Sequence, residues 1–82
     1  MQQDDTLATF ARIVEMVTSV SGTKVTRDKL LREDLGIDSL LLIDVAIAAE
    51  DEFDIGIPDE ELERFQTISD AVEYIRRVAP IG

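Results

Sequence analysis

Ser39 has the placement of a chemical group. It follows an aspartate and stands directly ahead of an apolar run in EDLGIDSLLLIDVAIAAEDEF, residues 33–53. A nucleophilic serine needs a base within hydrogen-bond reach. The chain contains no histidine, which excludes a Ser-His-acid triad, and no cysteine. Lys24 and Lys29 make no Ser-Lys motif with it. Hydrolase chemistry, and any catalytic residue, is therefore not expected. Two roles remain open. Serine is common in the first turn of a helix with no further purpose. Alternatively, Ser39 is an acceptor. A phosphodiester on its hydroxyl would sit at the positive end of a helix, where amides and the macrodipole favour an anion. A covalent prosthetic group could then supply the sulfur that the chain lacks.

The elements that must position Ser39 are helices. Asp38 has the side chain to cap a helix running to about Phe53. Upstream, Leu7, Phe10, Val14 and Val17, with Ala11 and Ile13 beside them, predict a helix over 4–20. Asp4, Asp5 and Thr6 are its start signals, and Gly22 is its expected stop. The long connection 21–37 carries Val25, Leu30, Leu31, Leu35 and Ile37, so it should lie across the core, with a short helical turn at 28–31. Pro58 and the acids after it open a short helix, about 59–64. Thr67 opens the last one, in TISD, where Asp70 replaces the usual glutamate of a capping box. Ile68, Ala71, Val72 and Ile75 form its apolar face, and Arg76 and Arg77 sit at its negative end. No alternating strand pattern or internal repeat occurs. The expected fold is all-α: a small four-helix bundle, three longer helices and one short, with a long first connection.

Length and charge set limits on partners. The 82 residues make one domain, 1–82, with flexible ends at 1–3 and 80–82 expected. The hydrophobic content of 45% suffices for one core. No stretch has the roughly 18 apolar residues that span a bilayer, so no membrane role is expected. With no signal peptide and no cysteine, a cytoplasmic protein is expected. The net charge of −10 argues against nucleic acid. All of that imbalance lies between Asp38 and Glu63, which hold ten of the 18 acids and no base. Such a face is either merely solvated or kept acidic for basic partners.

The helix that begins at Ser39 has more apolar surface than one stripe requires. Leu42, Val45, Ala46, Ala49 and Phe53 make one stripe. Leu40, Ile43 and Ile47 make a second, and Leu41 adds to the excess. A small domain can hardly surround this helix. Either it is central, with the first and last helices on both sides, or the second stripe faces solvent as a partner patch.

The window Asp51 to Leu62 places Gly56 as in a calcium loop. Phe53 and Ile55 fall on ligand positions, Leu62 replaces the bidentate glutamate and Pro58 intrudes. No specific metal site is expected, only weak divalent screening of the clustered acids. A plain acidic interaction domain without modification is the rival of another class.

The stretch Asp34-Leu35-Gly36-Ile37-Asp38-Ser39-Leu40 resembles the attachment motif of the acyl carrier proteins. EDEFDIGIPDEE and TISDAVEYI resemble later segments of that family, so the likeness covers nearly the whole chain. The resemblance implies that Ser39 carries 4'-phosphopantetheine, moved from coenzyme A by a phosphopantetheinyl transferase, within a motif of Asp34, Gly36, Asp38 and Leu40. It implies a non-catalytic carrier of acyl thioesters. Its second helix and the acids beyond form the docking surface: Leu40, Leu41, Ile43, Asp44, Ile47, Glu50, Asp51, Asp59 and Glu60. The implied partners are acyl-loading, condensing and tailoring enzymes with basic patches, met by a monomer. Leu41 stands where bacterial fatty-acid carriers usually have an acid, which points to polyketide or other specialised synthesis. Primary fatty-acid synthesis and stand-alone aminoacyl or peptidyl carriage are the alternatives. The short ends, MQQ and PIG, suggest a free-standing protein.

Overall fold

The computed structural model describes residues 6–79. Four helices appear in chain order: α1 Thr6–Val17, α2 Ser39–Phe53, α3 Asp59–Leu62 and α4 Ile68–Val78. No strand occurs among the described residues, only an isolated antiparallel bridge between Leu30 and Thr67. α1 packs on α2 and α4, and the short α3 packs on α2. The expected all-α bundle of three longer helices and one short one is the fold observed.

The three longer helices turn the stripes their spacing predicts toward the core, with Leu7, Val17, Leu42 and Phe53 only partly buried. Phe10, Ile13 and Val14 point inward from α1; Val45, Ala46 and Ala49 from α2; Ile68, Ala71, Val72 and Ile75 from α4. Val14, Val45, Ile68, Val72 and Ile75 are almost wholly enclosed and form the centre of the core. α4 starts where its capping box predicts: Thr67 Oγ1 accepts the Asp70 amide, and the Asp70 carboxylate accepts the amides of Gln66 and Thr67.

Two boundaries differ from expectation. α1 ends at Val17, before Gly22. The Thr18 hydroxyl donates to the Val14 carbonyl at 2.7 Å and accepts the Val20 amide at 3.0 Å, so a side chain closes the helix early. Gly22 instead opens a separate 3-10 turn, Gly22–Lys24. The predicted starts Asp4 and Asp5 and the flexible ends 1–3 and 80–82 lie outside the described residues. α3 stops at Leu62, short of the end expected near residue 64, and a turn carries the chain on, with the Phe65 amide donating to the Leu62 carbonyl.

The connection from 18 to 38 also departs from expectation. No helix forms at 28–31; turns occupy 22–24, 27–28 and 31–35. The intervening backbone pairs with the approach to α4. Leu31 N–H donates to Gln66 O at 2.8 Å, Ile68 N–H to Lys29 O at 3.0 Å, and Ser69 N–H to Arg27 O at 3.0 Å. Arg27 adds a salt bridge to Glu73 at 2.9 Å. Distant chain segments therefore satisfy polar groups that a local helix would otherwise have to satisfy. Val25, Leu31, Leu35 and Ile37 are buried beneath this segment.

Gly36 ends the connection with φ +68°. This is the left-handed region, which L-residues enter at a cost. A Cβ there would meet no atom within 4 Å, so the constraint is in the backbone alone. Gly36→Ala should lower the unfolding free energy by about 1 kcal/mol in urea denaturation. Gly36→Asn should lose less, because asparagine tolerates this conformation.

Candidate functional site

The turn 31–35 and the Asp38 cap together decide where Ser39 stands. The Asp34 carboxylate accepts the Leu30 amide at 2.8 Å, and Gly36 N–H donates to Arg32 O at 3.0 Å. Ile37 is buried, pinning the chain just before the helix. Asp38 is in extended conformation, and its carboxylate accepts the Leu41 amide at 2.9 Å. Ser39 is thus the first residue of α2, and its side chain is exposed. The amides at the start of a helix have no carbonyl partner within it, which leaves this end positive.

Asp34, Gly36 and Asp38 have separate roles in shaping the approach. Asp34 ties the turn, Gly36 reverses it and Asp38 caps the helix. Arg32 reaches Ser39 itself: its Nη2 donates to Ser39 Oγ at 3.1 Å. Sequence reasoning missed this residue. The contact spans seven positions and exists only because the 31–35 turn folds back, a path that no local spacing reveals.

α2 shows both of its stripes as expected from a small domain. Leu40 is 75% exposed, Ile47 59% and Ile43 44%, whereas Val45 and Ala49 are buried. The helix is covered on one side only. Asp44, Asp51, Asp59 and Glu60 are exposed around this apolar strip. Two residues expected on the docking face stand differently. Leu41 is half-buried and packs against the core, so only part of it faces out. Glu50 turns its carboxylate onto the Ile57 amide at 2.7 Å, where it holds the loop after α2. That loop begins at Asp54, whose φ of 57° places it in the left-handed region. Tyr74 Oη steadies it further by donating to Gly56 O at 2.8 Å.

A cleft of about 650 Å³ opens beside Ser39. Leu42 and Ile43 of α2, Leu62 of α3, and Phe65 supply apolar wall, and Arg32, Glu33, Asp59 and Glu63 supply polar wall. Leu62 and Phe65 were not among the residues the sequence singled out for function. A second, much smaller pocket of about 10 Å³ lies between Phe10, Val45, Ala71 and Ile75. Among the described residues, no group of three or more His, Cys, Asp or Glu is placed to share a metal ion. No described helix is long and apolar enough to cross a membrane.

Comparison with known proteins decides the family. The phosphopantetheine attachment site family matches residues 8–75. An acyl carrier protein of Rhodococcus erythropolis is 38% identical over 80 residues, covering 98% of this chain and 88% of that protein. The chain belongs to the acyl carrier protein family. A meromycolate extension acyl carrier protein of Mycolicibacterium smegmatis is 38% identical, over 93% of this chain and 77% of its own length. Among solved structures, the apo doublet acyl carrier protein from prodigiosin biosynthesis shares the fold. Its TM-score is 0.79 at 22% identity, and the match covers 90% of this chain and 36% of that one. As an acyl carrier protein, the chain is not a catalyst. It carries 4'-phosphopantetheine, added by a transferase, and presents acyl groups to biosynthetic enzymes.

The residues present fit that group. An exposed hydroxyl stands at a positive helix end, beside a guanidinium and an open cleft. The one-sided cover of α2 yields a contrast between neighbours. Ile47→Asp should change stability by no more than about 0.5 kcal/mol. Val45→Asp should abolish the cooperative melt followed by circular dichroism, because it buries an unpaired charge.

Proposed function

We propose that Ser39 is the residue to which the arm is attached, and that α2 is the surface partners read. One observation carries this reading: the Ser39 hydroxyl is exposed on the opening residue of α2, directly beside the uncovered stripe of Leu40, Ile43 and Ile47. An enzyme docked on that stripe has the serine at its edge. When bound, the arm supplies a terminal thiol that holds the acyl group as a thioester. The rest is done by side chains of this chain. Asp38 holds the helix start, so that the serine oxygen stays in solvent. Leu40, Ile43 and Ile47 give partners an apolar footing, and Asp44, Asp51, Asp59 and Glu60 draw in basic patches. Leu41 contributes through its exposed part. Glu50 keeps the 55–57 loop against the helix end and acts on docking only through that loop.

The partners in this reading are a phosphopantetheinyl transferase and acyl-loading, condensing and tailoring enzymes. The protein works as a monomer in the cytoplasm, where coenzyme A supplies the arm, and takes no nucleic acid. Leu41, in place of an acid, favours a specialised pathway over general fatty-acid synthesis. The cleft walled by Leu42, Ile43, Leu62 and Phe65 is the place for a cargo chain to shelter, since it opens beside Ser39.

Intact-mass measurement after incubation with coenzyme A and a broad-specificity transferase tests the attachment. The chain should gain one arm, and Ser39→Ala should gain none while keeping its helical spectrum. An unchanged mass for the unaltered chain would overturn the reading in favour of an unmodified interaction domain. Docking should also respond to salt, since surface charges are screened over about 10 Å at 0.1 M. The rate of acyl transfer to a partner should fall as ionic strength rises; a flat rate removes the steering role of the acids.

A further inference from the structure

We propose that Arg32 is a positioning residue for the prosthetic arm, pairing its guanidinium with the phosphodiester carried on Ser39. The inference rests on Ser39 being the attachment point. It starts from the contact already present, in which Arg32 Nη2 donates to Ser39 Oγ at 3.1 Å. A guanidinium in a chain of net charge −10 has many carboxylates to choose from. Two of those close to it in sequence are engaged elsewhere. Asp34 accepts the Leu30 amide and Asp38 the Leu41 amide. Among the described residues, Arg32 makes no ion pair. The cation is thus held against a neutral hydroxyl.

That arrangement makes weak use of an arginine until the hydroxyl becomes part of a phosphodiester. An anion then forms on the very group that the guanidinium touches. Hydrogen bonds between ionised partners are about twice as strong as neutral ones, and the planar fork of arginine suits phosphate oxygens. Arg32 lies outside the attachment motif, on the turn 31–35, with its backbone held by the Gly36 amide. Arg32 and Ser39 both line the cleft, so the pair keeps the root of the arm on the side where the cleft opens. Both side chains are exposed, and salt therefore weakens the pairing. The root of the arm is restrained in dilute salt and released in concentrated salt.

The test uses the full chain with the arm installed, as wild type, Arg32→Gln and Arg32→Lys. Intact mass and peptide mapping first establish whether Ser39 carries the arm. The phosphorus NMR signal of the phosphodiester is then followed as sodium chloride is raised. The wild-type signal should shift and narrow as the pair is screened. Arg32→Gln should give the high-salt signal throughout, and Arg32→Lys should keep part of the wild-type response. A purely structural role for Arg32 would not move this signal. A wild-type signal identical to that of Arg32→Gln in dilute salt, on protein modified at Ser39, overturns this inference and leaves the attachment intact. Absence of an arm at Ser39 overturns the attachment and this inference with it. Should Arg32→Gln fail to fold, the salt response decides on the other two proteins: a flat response in both overturns the pairing.

Discussion

The hydrogen bond from the Leu41 amide to the Asp38 carboxylate sets the starting point of α2, and the rest of the molecule depends on that point. A helix turns through a fixed angle per residue. Its first residue and orientation therefore settle which side chains meet α1 and which meet water. With the start at Ser39, Val45, Ala46 and Ala49 enter the core, and Leu40, Ile43 and Ile47 remain outside. The same cap leaves Ser39 with its oxygen in solvent. Stability and function thus share one register. A small bundle with three longer helices has enough wall to cover one side of α2, and the uncovered side is the one proposed to meet partners.

The second half of the design is the stitching of the first connection. Backbone bonds from Leu31, Ile68 and Ser69 join the connection to the approach of α4. Tyr74 and Glu50 tie the loop after α2 from two directions. Apart from α2, the parts near Ser39 are irregular, and bonds of this kind hold them in place. The cleft beside the serine is walled by these irregular pieces and by α3. Its walls are accordingly mixed in character, apolar at Leu42, Leu62 and Phe65 and charged at Arg32, Asp59 and Glu63. Val14, Val45, Ile68, Val72 and Ile75 are almost wholly enclosed at the centre of the core. Open space lies at the edge of the bundle, next to Ser39.

Charge follows the same division. The acids cluster on α2, the loop after it and α3, where no base accompanies them in sequence. The self-repulsion is tolerable because these side chains are mostly exposed and screened. The bases lie outside that segment, and several are bound into the scaffold: Arg27 on Glu73, and Arg77 over the Tyr74 ring at 5.4 Å. Arg32 differs in touching the serine. In the proposed reading, a cation beside Ser39 and anions around the exposed stripe of α2 separate two tasks, holding the arm and meeting the partner.

Local signals determined the helices, their caps and the two stripes of α2. Asp38, Thr67 and Asp70 act on amides within four residues, and helical periodicity is a property of neighbours, so both are written in the sequence itself. The motif from Asp34 to Leu40 was legible for the same reason, as was the lack of any base that could activate Ser39. The early end of α1 is local as well, but the Thr18 hydroxyl that closes it competes with the more obvious stop signal of Gly22. Tertiary structure alone decided what depends on distant chain meeting distant chain. It moved the turn of the first connection, drew Glu50 onto the Ile57 amide, pressed Leu41 partly into the core and brought Arg32 to Ser39. The physical reason is that these contacts join segments that only the folded chain brings together, and their partners lie outside the window that periodicity and capping can read.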